Sequence, residues 1–349
     1  MLRVEARLWG DVLQYKVGDL DMFEPAELLF SRGMHPQYVM HVRFVASDVP
    51  EPSRVEDVLG VATVELPMAD NHRLATVSVA VRKDRQGEGL GAALHSAAIE
   101  AAIQHGRTTV QSWTWESLHV PAGARELAPE TGTGAIDGDS RGSRFLVSRG
   151  YVLGQIERLS RLHLPSHDIL LGRREDALGR VPEGYEFWTV LGRLPDRLLQ
   201  GAAALSISMA ADSPSGAMDV EDEYWDAARV RSSEEALEAA QRDQLQTLVR
   251  YVPTGEVVGF TRLFRDRGRP AVAHQWETLV LSDHRGKGLG LMLKNVNHGG
   301  VAEFWPGVSR IITGNASENR HMLAINEAMA FEPFAASGFW ELRDRGALQ

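Results

Sequence analysis

Two segments of the chain repeat one another at long range. Residues 77–102 read VSVAVRKDRQGEGLGAALHSAAIEAA and residues 277–304 read ETLVLSDHRGKGLGLMLKNVNHGGVAEF. Each runs from an apolar stretch through a charged turn and a Gly-rich loop into an amphipathic stretch. Gly89 and Gly288 align, 199 residues apart, far beyond any solenoid period. A repeat of that spacing in 349 residues predicts two domains of one kind in tandem. The flanks agree. DVLGVATVELP (57–67) and GEVVGFTRLF (255–264) precede the loops, and RTTVQSWTW (107–115) and SRIITGNA (309–316) follow them. These β-branched runs read as strands. Each half is therefore strand, strand, loop, helix, strand.

The join is expected in 165–182, which has little periodicity, giving domains 1–165 and 182–349. Residues 121–144, rich in Gly, Thr and Asp, read as a long exposed loop. Leu90, Leu94, Ala97, Ala98 and Ala101 predict a helix closed by Gly106; Leu289, Leu293 and Val296 predict its counterpart, which Gly299 and Gly300 weaken. Ser232 with Glu235 resembles a capping box for a helix over 233–243. Met322, Ile325 and Met329 form a stripe on a helix starting near Glu318.

Composition excludes several classes of function. The absence of cysteine removes disulfides, thiolate metal sites and thiol nucleophiles. The histidines show no metal-binding spacing. A formal charge of −10 argues against nucleic acid. No run of 18 apolar residues and no signal-peptide core is present, so no membrane partner and a cytoplasmic location are expected.

The loops carry the chemistry. Gln86-Gly87-Glu88-Gly89-Leu90-Gly91 and Arg285-Gly286-Lys287-Gly288-Leu289-Gly290 both fit R/Q-x-x-G-x-G/A. Glycines permit positive φ, so successive N–H groups face one concavity and the following helix adds its positive end. That is a pyrophosphate cradle. Arg285 and Lys287, and in the first half Arg82, Lys83 and Arg85, add positive charge. Neither loop has the Walker or the dinucleotide-binding spacing.

The chain resembles the GNAT superfamily, whose members transfer an acyl group from coenzyme A to an amine. The two loops carry the resemblance, together with Asn319-x-x-Met322-x-x-x-Asn326-x-x-x-Ala330-Phe331. In its tandem arrangement it is similar to mycothiol synthase-like actinobacterial tandem GNAT proteins. The resemblance implies an α+β (mixed α/β) fold: two tandem domains, each a mixed, mostly antiparallel sheet flanked by helices, with the fourth and fifth strands of each splayed. It implies acetyl-CoA as cofactor and a small-molecule or peptide amine as partner. The pyrophosphate would lie on residues 286–290, and Gln86, Gly87, Gly89 and Gly91 offer a second cradle.

Within that resemblance the second half is expected to be catalytic. Glu277 is the only acid of the strand HQWETLVL (274–281) and stands at the usual position of the base; TVSVAV (76–81) has none. A backbone N–H near Leu279 or Val280 would polarise the thioester. Asn315 and Asn319 would bond the pantetheine amides. The family's acidic Tyr is replaced by Asn326 in one half and Leu146 in the other, so Asn326 is left to orient substrate or the sulfur region. The cluster Asp219, Glu221, Asp222, Glu223 and Asp226 is either an approach for a cationic amine or a solvated loop. A non-catalytic coenzyme A-binding module and an O-acyltransferase remain as alternatives to an N-acetyltransferase. The oligomeric state stays open.

Overall fold

The computed structural model describes residues 1–343; the last six residues of the second expected domain lie outside the described residues. The first half comprises α1 (Leu2–Lys16), α2 (Ala26–Arg32), β1 (Val39–Ser47), β2 (Val58–Pro67), β3 (Leu74–Val81), α3 (Leu90–Gln104), β4 (Thr109–Ser117), β5 (Glu126–Leu127), β6 (Ile136–Asp137), α4 (Arg141–Val147) and β7 (Tyr151–His163). The second comprises α5 (His167–Leu178), β8 (Tyr185–Leu191), α6 (Asp196–Asp212), α7 (Ala227–Ala239), β9 (Arg242–Tyr251), β10 (Glu256–Asp266), β11 (Val272–Val280), α8 (Leu289–Phe304), β12 (Arg310–Ala316), α9 (Arg320–Ala328) and β13 (Glu332–Leu342).

Eleven strands form one mixed sheet in the order β1-β2-β3-β4-β13-β7-β12-β11-β10-β9-β8. The halves exchange their last strands. β13 lies antiparallel between β4 and β7, and β7 lies antiparallel against β12. Each core therefore holds residues from the other half. Ala336, Trp340 and Leu342 of β13 pack with Leu94, Ala98 and Val110, and Leu162 of β7 packs with Ile311 and Trp305. Trp340 donates its indole N–H to Thr114 Oγ1 at 3.1 Å, which satisfies the one polar atom of a fully buried ring.

The strand–loop–helix repeat is as expected, and both parallel pairs splay. β3 and β4 pair only from Leu74↔Thr109 to Thr76↔Gln111, and β11 and β12 only from Val272↔Arg310 to Gln275↔Thr313. Beyond those points β3 and β11 present main-chain donors and acceptors to an opening rather than to a neighbour.

Several local readings are corrected. Residues 167–178 of the join are the helix α5. It packs on α8 at Gly299, where an added Cβ would stand 2.5 Å from Cβ of Arg174. Gly299 and Gly300 thus serve close packing, and the helix continues to Phe304. The loop 121–144 contains the β5–β6 pair and the start of α4, with Ile136 fully buried. The helix expected over 233–243 is α7, capped by Asp226, whose side chain accepts from Arg229 N–H. The acidic segment is a clasp between the halves. Arg73 pairs with Asp219 at 3.2 Å and Glu221 at 2.8 Å, and Tyr224 N–H donates to Asp70 at 3.0 Å. None of the helices of the described residues is long and apolar enough to cross a membrane.

Candidate active site

Each Gly-rich loop turns its strand into its helix with positive φ at both critical glycines: +94° and +87° at Gly87 and Gly89, +76° and +75° at Gly286 and Gly288. Gly89 and Gly288 are the N-caps of α3 and α8. No side chain fills the space where a Cβ would stand at Gly87, Gly89 or Gly286. At Gly288 only Met292 Cε approaches, at 3.8 Å. Both loops are therefore open cradles of free helix N-terminal N–H groups. The residue heading each loop ties it back to its strand: Gln86 Nε2 donates to Val81 O at 3.0 Å, and Arg285 Nε donates to Val280 O at 2.8 Å. Gly91 and Gly290 face Phe145 and Ile325 of α4 and α9 at equivalent places. Leu289 is buried beneath the second loop.

Four of the five cations expected to serve the phosphates are otherwise engaged, and the fifth, Lys83, lies over the Tyr15 ring. Arg82 pairs with Asp84, Arg85 with Asp48 and Glu88, and Arg285 with Asp212. Lys287 reaches Asp283 O at 3.3 Å. In the first half other cations take that place. A groove of about 630 Å³ opens between the splayed β3 and β4, bounded by Gln86, Gly87, Gly89 and Gly91. Lys16, Arg141, Arg144 and Arg149 line it, against the single carboxylate Glu116. Among the described residues the three arginines have no carboxylate within ion-pair distance. With Lys16 paired to Glu116, three cations are left over in this groove, in a chain of net charge −10, which makes its local potential positive. Sequence reasoning missed Arg141, Arg144 and Arg149 because they follow the irregular 121–140 stretch rather than the loop. Lys16 holds Glu116 at 3.1 Å, yet burial still pushes that carboxyl above its ordinary range. His95, on the groove wall, bonds Tyr151 Oη at 3.0 Å, and burial pushes it down to about 4, so it is neutral.

In the second half the structure separates the expected site residues into two groups. Asn315 and Asn326 meet: Asn326 Nδ2 donates to Asn315 Oδ1 at 2.6 Å. Lys294, which the sequence did not single out, completes the chain by donating to Asn326 Oδ1 at 2.8 Å. Asn319 caps α9, accepting from Met322 N–H at 3.2 Å. After α9, Ala330 adopts φ +69°, where Gly150 adopts +80° after α4; the position asks for glycine and carries alanine.

Glu277 stands apart from this chain, toward α6. Pairing jumps from Thr261↔Thr278 to Leu263↔Gln275, so Trp276 and Glu277 form a bulge opposite Arg262. A bulge re-aims side chains beside a splayed edge. Glu277 Oε2 lies 3.9 Å from Arg262, which also reaches Ser206 Oγ of α6 at 3.4 Å. That oxygen is buried with no hydrogen-bond partner, as is Nε2 of the adjacent Gln246. Buried unpaired polar atoms are rare in native proteins. The strand edge at Leu279 and Val280 follows directly. The first-half sheet has no such bulge and carries Ser78 in the β3 stretch.

Burial alone pushes the Lys294 ammonium down to about 7. Between pH 7 and the ordinary lysine value near 10.4, the folded chain then holds fewer protons than the unfolded chain. Stability should rise with pH across that window, by up to about 1.4 kcal/mol per pH unit. In Lys294→Met that rise should flatten. Urea midpoints at pH 7 and 9.5 test it; equal slopes for both proteins would reject the buried ammonium.

The sequence model of the Acetyltransferase (GNAT) family matches residues 26–124 and 217–296, together more than half of the chain. Among solved structures, a tandem GNAT protein from the clavulanic acid biosynthesis pathway, solved without AcCoA, is 25% identical with a TM-score of 0.69. It covers 97% of this chain and 94% of its own. A GCN5-related N-acetyltransferase from Sphaerobacter thermophilus is 16% identical with a TM-score of 0.58, over 97% and 91%. The latter likeness is one of fold alone. A comparison with curated proteins finds no match.

Proposed function

Because the chain belongs to the GNAT acetyltransferase family, we propose that it moves an acetyl group from acetyl-CoA to the amine of a small molecule or peptide, with Glu277 as the base. The observation that carries this reading is the bulge at Trp276–Glu277, which sets an unpartnered carboxylate oxygen beside a strand edge freed by the splay.

The residues fit coenzyme A in both halves. Gly286, Lys287, Gly288, Leu289 and Gly290 form one pyrophosphate cradle, with Arg285 anchoring it. Gln86, Gly87, Gly89 and Gly91 form the other, with the first-half cations around it. The pantetheine amides match the free edges of β11 and β3, and Asn315 and Asn319 border the first of these. In the second half, Glu277 takes the proton of the attacking ammonium, directly or through one water. A main-chain N–H near Leu279 or Val280 holds the negative charge that develops on the thioester oxygen. Arg262, 3.9 Å from Glu277 Oε2, holds that carboxylate at the bulge. Asn326 is buried with its amide engaged by Lys294 and Asn315, so in place of the expected contact with substrate it positions Asn315.

The test is thiol release from acetyl-CoA with a panel of small amines, amino sugars and peptides, each product weighed by mass spectrometry. A product heavier by one acetyl group is expected. Coenzyme A binding without turnover on any amine would leave a binding module instead.

A further inference from the structure

The buried face of α8 carries three polar side chains where a core-facing helix would be apolar: Lys294, Asn297 and His298, all buried. Two of them tie the helix to the body of the sheet. Asn297 Nδ2 donates to Thr247 Oγ1 at 3.0 Å, and His298 Nε2 lies 3.4 Å from Gln275 Oε1. Lys294, one turn nearer the Gly-rich loop, bonds instead to Asn326 Oδ1 of α9. Among the described residues no carboxylate lies within ion-pair distance of it. A buried ammonium without a counter-ion is costly, and packing alone would be served by an apolar residue.

An ammonium can only donate hydrogen bonds. That fixes the sense of the whole chain. Asn326 turns its oxygen to Lys294 and donates through Nδ2 to Asn315 Oδ1 at 2.6 Å. Asn315 is left presenting an amide donor, its Nδ2, which has no partner among the described residues. Arg158, opposite Asn315 on β7, is spent on Glu327 at 2.7 Å. The register places the free donor. β11 and β12 last pair at Gln275↔Thr313. Two residues further stand Glu277 on β11, toward α6, and Asn315 on β12, toward α9. The narrow end of the opening thus has a carboxylate on one face of the sheet and a charge-backed donor on the other. The first half lacks this chain. At the place of Lys294, the same 199 residues earlier, stands His95, neutral and bonded to Tyr151, and Leu146 stands at the place of Asn326.

We propose that Asn315 holds the sulfur as the acetyl group leaves it, with Lys294 and Asn326 as positioning residues that aim and polarise its amide. This rests on the reading that acetyl-CoA lies in the second-half opening with Glu277 as the base. The acceptor ammonium gives one proton to Glu277, and its nitrogen bonds to the acetyl carbon. The carbon–sulfur bond breaks with its electron pair on sulfur, and the nitrogen's second proton goes to solvent. Asn315 donates to the sulfur while that charge builds. The thiolate later takes one proton from solvent. The products are the N-acetylated amine, coenzyme A thiol and one released proton. Hydrogen-bonded groups in series polarise one another, so the ammonium's charge is felt at Asn315. A donor aimed at charge that develops only during reaction raises kcat rather than affinity.

Single turnovers of the full chain at saturating acetyl-CoA read the transfer step. They are run at about pH 6.5, below the value of about 7 to which burial brings Lys294, so the ammonium is charged. Asn315→Ala and Lys294→Met should each slow transfer about 10–100-fold, the range for a hydrogen bond to a charged group, with coenzyme A affinity nearly unchanged. Asn315→Asp, which keeps the contact with Asn326 but turns an acceptor to the sulfur, should be slower still. The double variant should lose far less than the product of the single losses, because the residues act as one chain. With the selenoester analogue of acetyl-CoA, whose selenol leaves more readily, the losses should nearly vanish. A second readout needs no turnover. The chain has no cysteine, so thiolate absorbance in the coenzyme A complex belongs to the bound thiol. At pH 7 it should be several-fold stronger in the wild type than in Asn315→Ala; any first-half complex contributes equally to both. Thermal melting shows that each variant is folded, and the half-buried Asn315 decides the matter where Lys294→Met does not fold. Unchanged single turnovers, equal losses with thioester and selenoester, or equal thiolate absorbance would overturn the proposal. Variants of this chain as fast as the wild type, beside a slow Glu277→Gln, would overturn it alone. No acetyl transfer by the wild type to any amine would overturn the reading beneath it as well.

Discussion

Glu277→Gln is expected to lower kcat by about 10²–10⁴-fold at pH 7 on the second-half amine substrate, the usual effect of removing a general base. The amide is nearly isosteric and leaves the bulge opposite Arg262 in place, so coenzyme A affinity should hardly change. The loss should shrink as pH rises, because the acceptor amine deprotonates in solution and needs the base less. The sign follows from the substrate: at low pH nearly all amine is protonated, and only the enzyme's carboxylate can remove the proton at the right place. Rates against pH for both proteins, at saturating acetyl-CoA, check this. An unchanged profile would remove Glu277 from the mechanism.

Valine at Gly89 or Gly288 is expected to remove one coenzyme A site each. Both glycines have φ near +80°, where a β-branched residue is strained by roughly 1–3 kcal/mol. The wild-type spaces are open, so the damage is to the cradle rather than to neighbouring packing. Turning the backbone back to negative φ withdraws the N–H groups from the pyrophosphate, and a branched side chain enters its place. Each affinity should fall at least about 100-fold, and calorimetry should read two sites in the wild type and one in each variant. An unchanged stoichiometry in Gly89→Val would leave the first-half groove without the cofactor. The same result in Gly288→Val would leave the second cradle without it.

The sequence by itself determined what is local. The 199-residue repeat, the strands before and after each loop, the positive-φ glycines and the helices behind them follow from periodicity and glycine chemistry within about 25 residues. Glu277 was legible for the same reason: it is the one acid in an apolar strand. The bulge that re-aims it was not, because a bulge exists only relative to the partner strand. Gly299 read as a weak point in a helix until α5 was seen lying on it.

Only the tertiary structure decided how the halves are joined. Nothing in β7 or β13 says whether it closes its own half or the other; the pairing of β13 with β4 spans more than 200 residues. The acidic run at 219–226 reads as a solvated face or a substrate approach until Arg73 and Asp70 are brought to it from 150 residues away. The groove cations were hidden for the same physical reason. A charge seen alone in a sequence reads as solvated surface, and only the partners that folding gives it, or withholds from it, turn it into a binding site.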